Sequence, residues 1–181
     1  TNAPGAAASV WIGLQCVQGI HNIGNITGNT IGSGTGQDHI KLNINAGGAV
    51  SSFIAGIYFA GAAGYANIQN NTIGGITING STITGAIIPQ WIQIQGTPSQ
   101  TTTLSNNLIG SLGTANSIRN LATAPPVIGF AVRHLITSGA GLVMNNNTIQ
   151  NIQELSSSAS TGYYGILLIS TVGGTSQLNI T

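Results

Sequence analysis

The stretch "NNTIGGI" at residues 70–76 sets the fold, because the chain repeats it at a nearly constant interval. Close variants are "GNTIGS" at 28–33, "NNLIGSL" at 106–112 and "NNTIQNI" at 146–152. The isoleucines that align the four copies are 42, 36 and 40 residues apart, and they are Ile31, Ile73, Ile109 and Ile149. Self-similarity with a period of this length is typical of a solenoid, in which each repeat packs on the next.

Each copy places the same kinds of residue at the same positions. An apolar residue lies five positions before the aligned isoleucine, and a polar pair, usually Asn-Asn, lies between the two. A second apolar anchor lies 11 to 14 residues farther upstream, at Ile12, Ile57, Ile92 and Val132. We expect the two inner positions of every copy to form the core, which gives Ile26, Ile31, Ile68, Ile73, Leu104, Ile109, Met144 and Ile149.

Strands fit these repeats better than helices do. The apolar segments are short, rich in β-branched residues and bounded every few residues by Gly or Asn. We therefore predict an all-β, right-handed parallel β-helix of four to five coils, with three strands of four to six residues in each coil. The predicted repeats lie near 9–52, 53–90, 91–129 and 130–162, with a partial repeat at 163–181. Because that pattern stops in mid-repeat, we expect the chain to be a piece of a longer solenoid.

The second asparagine of each polar pair has a structural explanation. Equivalent side chains of a parallel stack lie ~4.8 Å apart, and an asparagine amide can both donate to and accept from its copies. We expect Asn71 to adopt the left-handed turn conformation, which asparagine tolerates. A charge here would repel its own copies, which explains why only 3% of the chain is charged. The predicted ladder consists of Asn29, Asn71, Asn107 and Asn147.

The low charge argues against several partners. The net charge is +1, from Lys41, Arg119, Arg133, Asp38 and Glu154. Nucleic-acid binding needs clustered basic residues to neutralise phosphates, and so does attraction to an anionic membrane. The longest weakly polar run, at 53–66, has 14 residues, whereas a membrane-spanning helix needs about 20. We therefore expect neither nucleic-acid binding nor membrane insertion.

Catalytic and metal-binding groups are scarce. Glycoside hydrolysis generally needs two carboxyl groups about 5 to 10 Å apart, and the repeat places Asp38 and Glu154 three coils, or ~14 Å, apart. The cluster "QDHIK" at 37–41 is expected to be a loop ion pair or a solvated edge and not a catalytic pair, because Asp38 and His39 would point to opposite faces of a strand. Of Arg133 and its neighbour His134, one should point outward and the other should lie near a loop. We predict that the protein is not an enzyme and holds no cofactor or metal.

Two further groups are interpreted as packing residues. The single cysteine, Cys16, is expected in the core as a small hydrophobe. Aromatic residues near the second anchor are expected to pack in the core or at its edge, although exposed aromatics would also suit carbohydrate binding. They are Trp11, Tyr58, Trp91, Tyr163 and Tyr164.

A family resemblance rests on the segments "GIYFAG" at 56–61, "ANIQNNTIGGI" at 66–76 and "LSNNLIGSLGTANSIRN" at 104–120. They resemble the parallel β-helix repeats of pectin-lyase-like proteins. More narrowly, they are similar to the Ile-, Asn-, Thr- and Gly-rich arrays of very large secreted surface proteins of Bacteroidota-type bacteria. The resemblance covers about residues 9 to 181. It implies a stalk or filament segment of an extracellular, adhesin-like cell-surface protein, exported by a type 9 secretion system.

Two other functions stay open. One is a polysaccharide-binding or polysaccharide-degrading β-helix, because the same fold houses such proteins. The other is an ice-binding surface, suggested by threonine-rich stretches such as "ITINGSTITG" at 76–85. A threonine ladder is broken, however, because the position four after each aligned isoleucine reads Thr35, Thr77, Gly113 and Gln153.

The expected partners follow from the architecture. Recognition in such arrays usually lies in variable loops carried by a rigid scaffold, and the most irregular segments are 32–52, 96–103 and 113–128. We expect these loops to bind surface glycans. The coil ends could instead contact other copies of the parent protein, or adjoining β-helix repeats of the same chain.

Overall fold

The computed structural model describes residues 9–44, 51–61, 63–80, 85–122, 126–137, 140–156, 158, 160–170 and 178–180. Over these residues the chain forms strands and turns but no helix. Strands of successive repeats lie side by side in parallel sheets. The fold is therefore an all-β parallel β-helix, as the repeat predicts.

Within the described residues, coils 1 to 4 contain four strands each. Coil 1 consists of β1 (Val10–Cys16), β2 (Ile20–Ile23), β3 (Thr30–Gly32) and β4 (Ile40–Asn43). Coil 2 consists of β5 (Ser52–Gly61), β6 (Tyr65–Gln69), β7 (Thr72–Gly74) and β8 (Ile76–Asn79). Coil 3 consists of β9 (Ile87–Gly96), β10 (Thr102–Ser105), β11 (Leu108–Gly110) and β12 (Ile118–Asn120). Coil 4 consists of β13 (Ile128–Ile136), β14 (Leu142–Asn145), β15 (Thr148–Gln150) and β16 (Ile152–Glu154). Coil 5 contributes β17 (Gly162–Ser170) and β18 (Leu178–Ile180).

Equivalent strands of successive coils form four parallel sheets. Sheet A has the order β1-β5-β9-β13-β17, and sheet B has the order β2-β6-β10-β14-β18. Sheet C joins β3-β7-β11-β15, and sheet D joins β4-β8-β12-β16. Each of coils 1 to 4 thus adds one strand to every sheet, so that the core is built in layers.

The prediction of three short strands per coil is wrong. Only Gly74 and Gly75 lie between Ile73 of sheet C and Ile76 of sheet D, so the two short strands follow each other in the sequence as one apolar stretch. The sequence pattern therefore reads two strands as one. The sheet A strands are also longer than predicted, at 7 to 10 residues.

Inward-facing residues form columns that run through the coils. In sheet C the aligned isoleucines Ile31, Ile73, Ile109 and Ile149 are register partners, as predicted. In sheet B the partners are Ile23, Ile68, Leu104 and Met144. In sheet D they are Ile40, Ile76, Ile118 and Ile152. The members from coils 2 and 3 are at most 2% exposed, because a layer covers them on both sides.

Ile26, a predicted core residue, is instead 86% exposed. The register partner of Ile68 is Ile23, which is 5% exposed. Coil 1 has extra residues after Ile23, and they form a turn that the backbone hydrogen bond from Gly28 N to Gly24 O closes at 3.1 Å. The insertion carries Ile26 out of the stack, so counting back from the aligned isoleucine fails in this coil.

The second anchor is also shifted in coil 1. Leu14, not Ile12, lies opposite Ile57, and Ile57 in turn pairs with Ile92. Ile12 lies opposite Ala55. Aligning the fifth copy at 163–181 on residues 9–27 without a gap would pair Ile166 with Ile12. In the structure Ile166 instead belongs to the column of Leu14, through Val132.

Replacing a column residue should weaken the fold far more than replacing Ile26. We expect Ile73→Ala to lower the free energy of unfolding by about 2 to 5 kcal/mol, because it leaves a cavity between covered layers. Ile26→Ala should change it by less than about 0.5 kcal/mol, since that side chain lies in solvent. Urea unfolding followed by circular dichroism measures both. Equal losses in the two variants would contradict the layer assignment.

Candidate functional site

An asparagine ladder runs along the corner between sheets B and C. Asn29 Nδ2 donates to Asn71 Oδ1 at 2.9 Å, and Asn71 Nδ2 donates to Asn107 Oδ1 at 3.0 Å. Asn107 Nδ2 donates to Asn147 Oδ1 at 2.9 Å. The structure thus brings the four predicted ladder residues together, one per coil.

Each inner rung of the ladder is saturated with hydrogen bonds. Asn71 Oδ1 also accepts from the backbone nitrogen of Asn29 at 3.1 Å, and Asn71 Nδ2 also donates to the carbonyl of Ile23 at 3.0 Å. Both amide protons and both lone pairs of Asn71 are therefore used. Asn107 repeats the pattern one coil later, with Ile68 O as its carbonyl partner at 2.8 Å. Because all their polar atoms are hydrogen-bonded, Asn71 and Asn107 can be buried, and they are only 1% and 2% exposed.

The left-handed residue is the first of each pair, so the prediction for Asn71 is wrong. Asn70, Asn106 and Asn146 have φ values of 58°, 56° and 54°, and Gly28 at the same position has 76°. The turn at the first residue is what directs the second side chain into the stack. Asn70 itself lies nearer to solvent and donates to Gly24 O at 3.2 Å.

A second polar cluster joins two loops across an intervening coil. Loop 1 (residues 32–39) and loop 3 (residues 110–117) follow equivalent strands of coils 1 and 3. The equivalent turn of coil 2 is only Gly74-Gly75, so loop 1 crosses it and contacts loop 3. Their hydrogen bonds run from Ser111 Oγ to Gly34 O (2.6 Å), Thr114 Oγ1 to Thr35 O (2.8 Å), Gln37 Nε2 to Ala115 O (2.6 Å) and Ser117 Oγ to Gly36 O (3.2 Å).

The "QDHIK" cluster supplies the charged part of this contact. Arg119 Nη2 lies 2.5 Å from Asp38 Oδ2, and Lys41 Nζ lies 3.8 Å from the same oxygen. The Thr77 hydroxyl donates to Asp38 Oδ1 and accepts from Arg119 Nε at 2.9 Å. The hydrogen bond from Arg119 lowers the pKa of the Asp38 carboxyl, and that from Thr77 lowers it further. Loop 1 therefore carries a loop ion pair, but its main partner comes from two coils away.

The two carboxyl groups lie on opposite sides of sheet D. Asp38 lies in loop 1 of coil 1 and contacts Arg119 of coil 3, whereas Glu154 ends β16 of coil 4. Their separation of ~14 Å stays a prediction. Glu154 accepts from Asn120 Nδ2 at 3.0 and 3.1 Å, and burial raises its pKa. Because Arg119 and Asn120 are adjacent on β12, their side chains point to opposite faces. The carboxyl groups thus do not face each other across one cleft.

Arg133 and His134 point to opposite faces of β13, and Arg133 is the one that faces outward, as predicted. The expectation that the other residue lies near a loop is wrong, because His134 is buried within the strand. His134 is 2% exposed, lies in register with Ile94 and Leu168, and its Nε2 has no hydrogen-bond partner. Burial lowers the pKa of His134 to about 4. The imidazole is therefore neutral at pH 7 and belongs to the core, where it has no neighbouring acid to work with.

The outer side of sheet A carries a cluster that we call the amide–aromatic face. Arg133 Nη1 donates to Gln90 Oε1 at 2.9 Å, and its guanidinium carbon lies 5.0 Å from the centre of the Phe130 ring. Phe130 stacks on Tyr164 with ring centres 5.3 Å apart. Gln93 Nε2 donates to Gln95 Oε1 at 2.7 Å. The face consists of Tyr58, Gln90, Gln93, Gln95, Phe130, Arg133 and Tyr164.

Three polar atoms of the amide–aromatic face are buried without a partner. They are Gln90 Nε2, Gln93 Oε1 and Arg133 Nε. Gln93 and Arg133 are register partners on β9 and β13, so an unmet acceptor lies beside an unmet donor. A hydroxyl group or a water molecule both donates and accepts, and could satisfy the two together. Burial also lowers the pKa of Arg133, whose guanidinium forms no ion pair with a carboxylate in the described part of the chain.

The other predicted packing residues lie at or near the core. Trp91 is 1% exposed, and Tyr163 and Trp11 are partly buried against the core cluster. Burial raises the pKa of the Tyr163 hydroxyl. Cys16 is a free, half-buried thiol that packs against the same cluster, and burial raises its pKa. Of the five aromatics, Tyr164 is the clear exception at 51% exposed.

No continuous threonine ladder forms at the predicted positions. Thr77 lies in register with Lys41 and Arg119, and Thr35 belongs to loop 1. Sheet C does place Thr30 beside Thr72, but Leu108 follows them in the same column.

Within the described ranges, no group of three or more His, Cys, Asp or Glu residues is arranged to hold a metal ion. The described residues also include no helix with the length and apolarity needed to cross a membrane. Comparison with protein-family models, with curated proteins and with solved structures finds no match.

Sequence reasoning missed both the loop contact and the amide–aromatic face. A signal for the first is loop length, because eight residues separate Ile31 from Ile40 and Ile109 from Ile118, whereas two separate Ile73 from Ile76. A signal for the second is the alternating glutamines of "QWIQIQ" at 90–95. Their partner Arg133 is brought to them only by the register of the coils.

Converting a ladder amide to a carboxylate should be strongly destabilising. In Asn71→Asp, two donors are lost and a negative charge faces Asn107 Oδ1 and Ile23 O, so we expect a loss of at least about 2 kcal/mol at pH 7. The control is Asn67→Asp, because Asn67 bonds Asn22 Oδ1 on the solvent side at 2.9 Å. Its loss should stay below about 1 kcal/mol. Urea unfolding measures the free energy of unfolding of both variants. Equal losses of stability in the two would contradict the ladder's role.

The buried histidine should make the fold sensitive to mild acid. The unfolded chain takes up a proton at His134 below its ordinary pKa of 6.5, whereas the folded chain does so only near 4. Stability should therefore be full above about pH 6.5 and fall by on the order of 3 kcal/mol as the pH drops to 4. Glu154 acts in the opposite sense near its own ordinary pKa of 4.5, because burial raises its folded pKa.

Comparison with variants isolates the histidine contribution. His134→Leu should remove most of the pH dependence between 4 and 6.5, whereas His39→Gln at an exposed loop site should leave it unchanged. The measurement is the urea midpoint at a series of pH values. A slope that survives in His134→Leu would show that another group titrates.

Proposed function

We propose that this chain is a rod segment of a secreted cell-surface stalk or filament with an adhesive role, and not an enzyme. The observation that carries the proposal is the ladder, in which one asparagine per coil is tied to the coil before it and the coil after it. Such a unit extends by addition of coils, each ~4.8 Å long. Its function is then to span distance.

The surface chemistry supports an extracellular place for the rod. Only 3% of residues are charged, so the fold depends little on ion pairs that salt would screen. The core and ladder are protected inside the coils, and irregular loops lie outside them, where recognition is commonly carried. The resemblance to pectin-lyase-like repeats, and to the giant secreted arrays of Bacteroidota-type bacteria, points the same way, including export by a type 9 system.

Labelling of intact cells tests the location. Antibodies raised against the purified chain should bind unpermeabilised cells of its source organism, and brief protease treatment of those cells should remove the signal. A signal that needs permeabilisation would overturn the extracellular assignment.

An activity screen tests the non-enzymatic part of the proposal. Incubation with a panel of plant and microbial polysaccharides should release no new reducing ends or unsaturated products. Any turnover that Asp38→Asn or Glu154→Gln abolishes would contradict it. Ile26→Ala is the control, since its side chain lies in solvent and carries no acid or base.

A second candidate function is polysaccharide binding at the amide–aromatic face, favoured by its unmet polar atoms. Sugar hydroxyls both donate and accept, and a sugar ring can pack on an exposed aromatic such as Tyr164. If this is right, calorimetry should detect binding of a polysaccharide from the same panel. Tyr164→Ala and Arg133→Gln should each weaken it at least tenfold, and Lys41→Gln should not. Binding that is insensitive to both face variants would place recognition elsewhere.

A further inference from the structure

The contact between loop 1 and loop 3 is unusual for a solenoid because it skips a coil. In a simple stack each coil touches only its neighbours, and an outer coil can open without the coil two layers away. Here five side-chain contacts bridge loop 1 to coil 3 directly, including the ion pair of Asp38 with Arg119. The two residues that form each contact are 77 to 81 positions apart in the chain.

The intervening coil is shaped to let the loops meet. A side-chain carbon at Gly74 would lie 2.4 Å from Gly110 O, 2.6 Å from Ser33 O and 2.9 Å from Ser117 Oγ. Gly74 does not have a positive φ, so glycine is required there by space alone. Its neighbour Gly75 donates its backbone N–H to Ser117 Oγ at 2.9 Å. The Gly74-Gly75 turn thus leaves room for the two loops to meet and bonds to one of them.

Part of the bridge is buried, and the contacts of Gln37 and Thr114 lie at the surface. Ser111 and Ser117 are fully buried, and Thr77 is 2% exposed. The side chains of Arg119 and Asp38 are 23% and 32% exposed. Thr77 of coil 2 bonds both partners, so all three coils contribute to one polar cluster.

We propose that the contacts of loop 1 with loop 3 and Arg119, which we call the clamp, make coils 1 to 3 a single cooperative unit. In this unit coil 1 opens together with coil 3 and not before it. The equal loop lengths in coils 1 and 3, with short two-residue turns in coils 2 and 4, make the structural repeat two coils long. The clamp lies within that double repeat. The inference concerns how the rod holds together and does not depend on what the rod binds.

Hydrogen exchange by mass spectrometry on the whole chain tests the proposal. In the wild type, amides of β4 in coil 1 and β12 in coil 3 should have protection factors within about threefold of each other, because one opening event exposes both. In Arg119→Gln, loop 1 and β4 should exchange at least tenfold faster, although the substitution lies two coils away. The amides of β14 to β16 should change by less than threefold.

Further variants separate the clamp from general destabilisation. Gly74→Ala keeps every clamp side chain and should uncouple β4 in the same way by forcing the loops apart. Gly113→Ala is the matched control, because a side-chain carbon there meets nothing within 4 Å. Lys41→Gln removes a charge beside Asp38 but within coil 1, and should leave the coupling intact. If Gly74→Ala fails to fold, Arg119→Gln still decides.

Two results would overturn the proposal. The first is a wild type in which β4 already exchanges more than tenfold faster than β12. The second is an Arg119→Gln protein in which exchange of β4 stays at the wild-type rate. Either would mean that coil 1 opens on its own and that the loop contact is made only by chance proximity.

Discussion

The asparagine amide that bonds the coil below and the coil above is the interaction on which the rest of this structure depends. Asn71 of coil 2 fills all four of its hydrogen-bonding positions with groups from coils 1 and 3, and it is almost fully buried. A buried amide that missed one of these partners would cost about 1 to 3 kcal/mol. The ladder therefore fixes the register of the coils, and the columns of isoleucine follow from that register.

The part of the fold that repeats could be predicted from the sequence, and the part that departs from the repeat could not. The period, the parallel stacking and the four ladder residues follow from "NNTIGGI" and its variants. Ile26 was misplaced because an insertion after Ile23 changes the count in coil 1 alone, and a pattern averaged over copies does not reveal where an insertion bulges out. The fourth strand was missed because only two glycines separate Ile73 from Ile76, so that two short strands resemble one apolar stretch.

Contacts between residues at non-equivalent positions of the repeat could not be predicted from the sequence either. The pairing of Asp38 with Arg119 depends on the length of two loops and on the absence of a side chain at Gly74. The amide–aromatic face depends on the exact alignment of β9 with β13, which sets Gln93 beside Arg133. Motif spacing gives the layer in which a residue lies, but it does not say how far a loop reaches across layers.

The ladder has a chemical consequence for the lifetime of the protein. Asparagine ages by deamidation when the backbone nitrogen of the following residue attacks the side-chain carbonyl, and the product carries a negative charge. The nitrogens that follow Asn71, Asn107 and Asn147 each donate to the carbonyl of the preceding ladder residue at 2.8 Å. Held there, they are poorly placed to attack, and both side-chain atoms are held too. The stacking of the coils thus also protects these three ladder amides from slow decay.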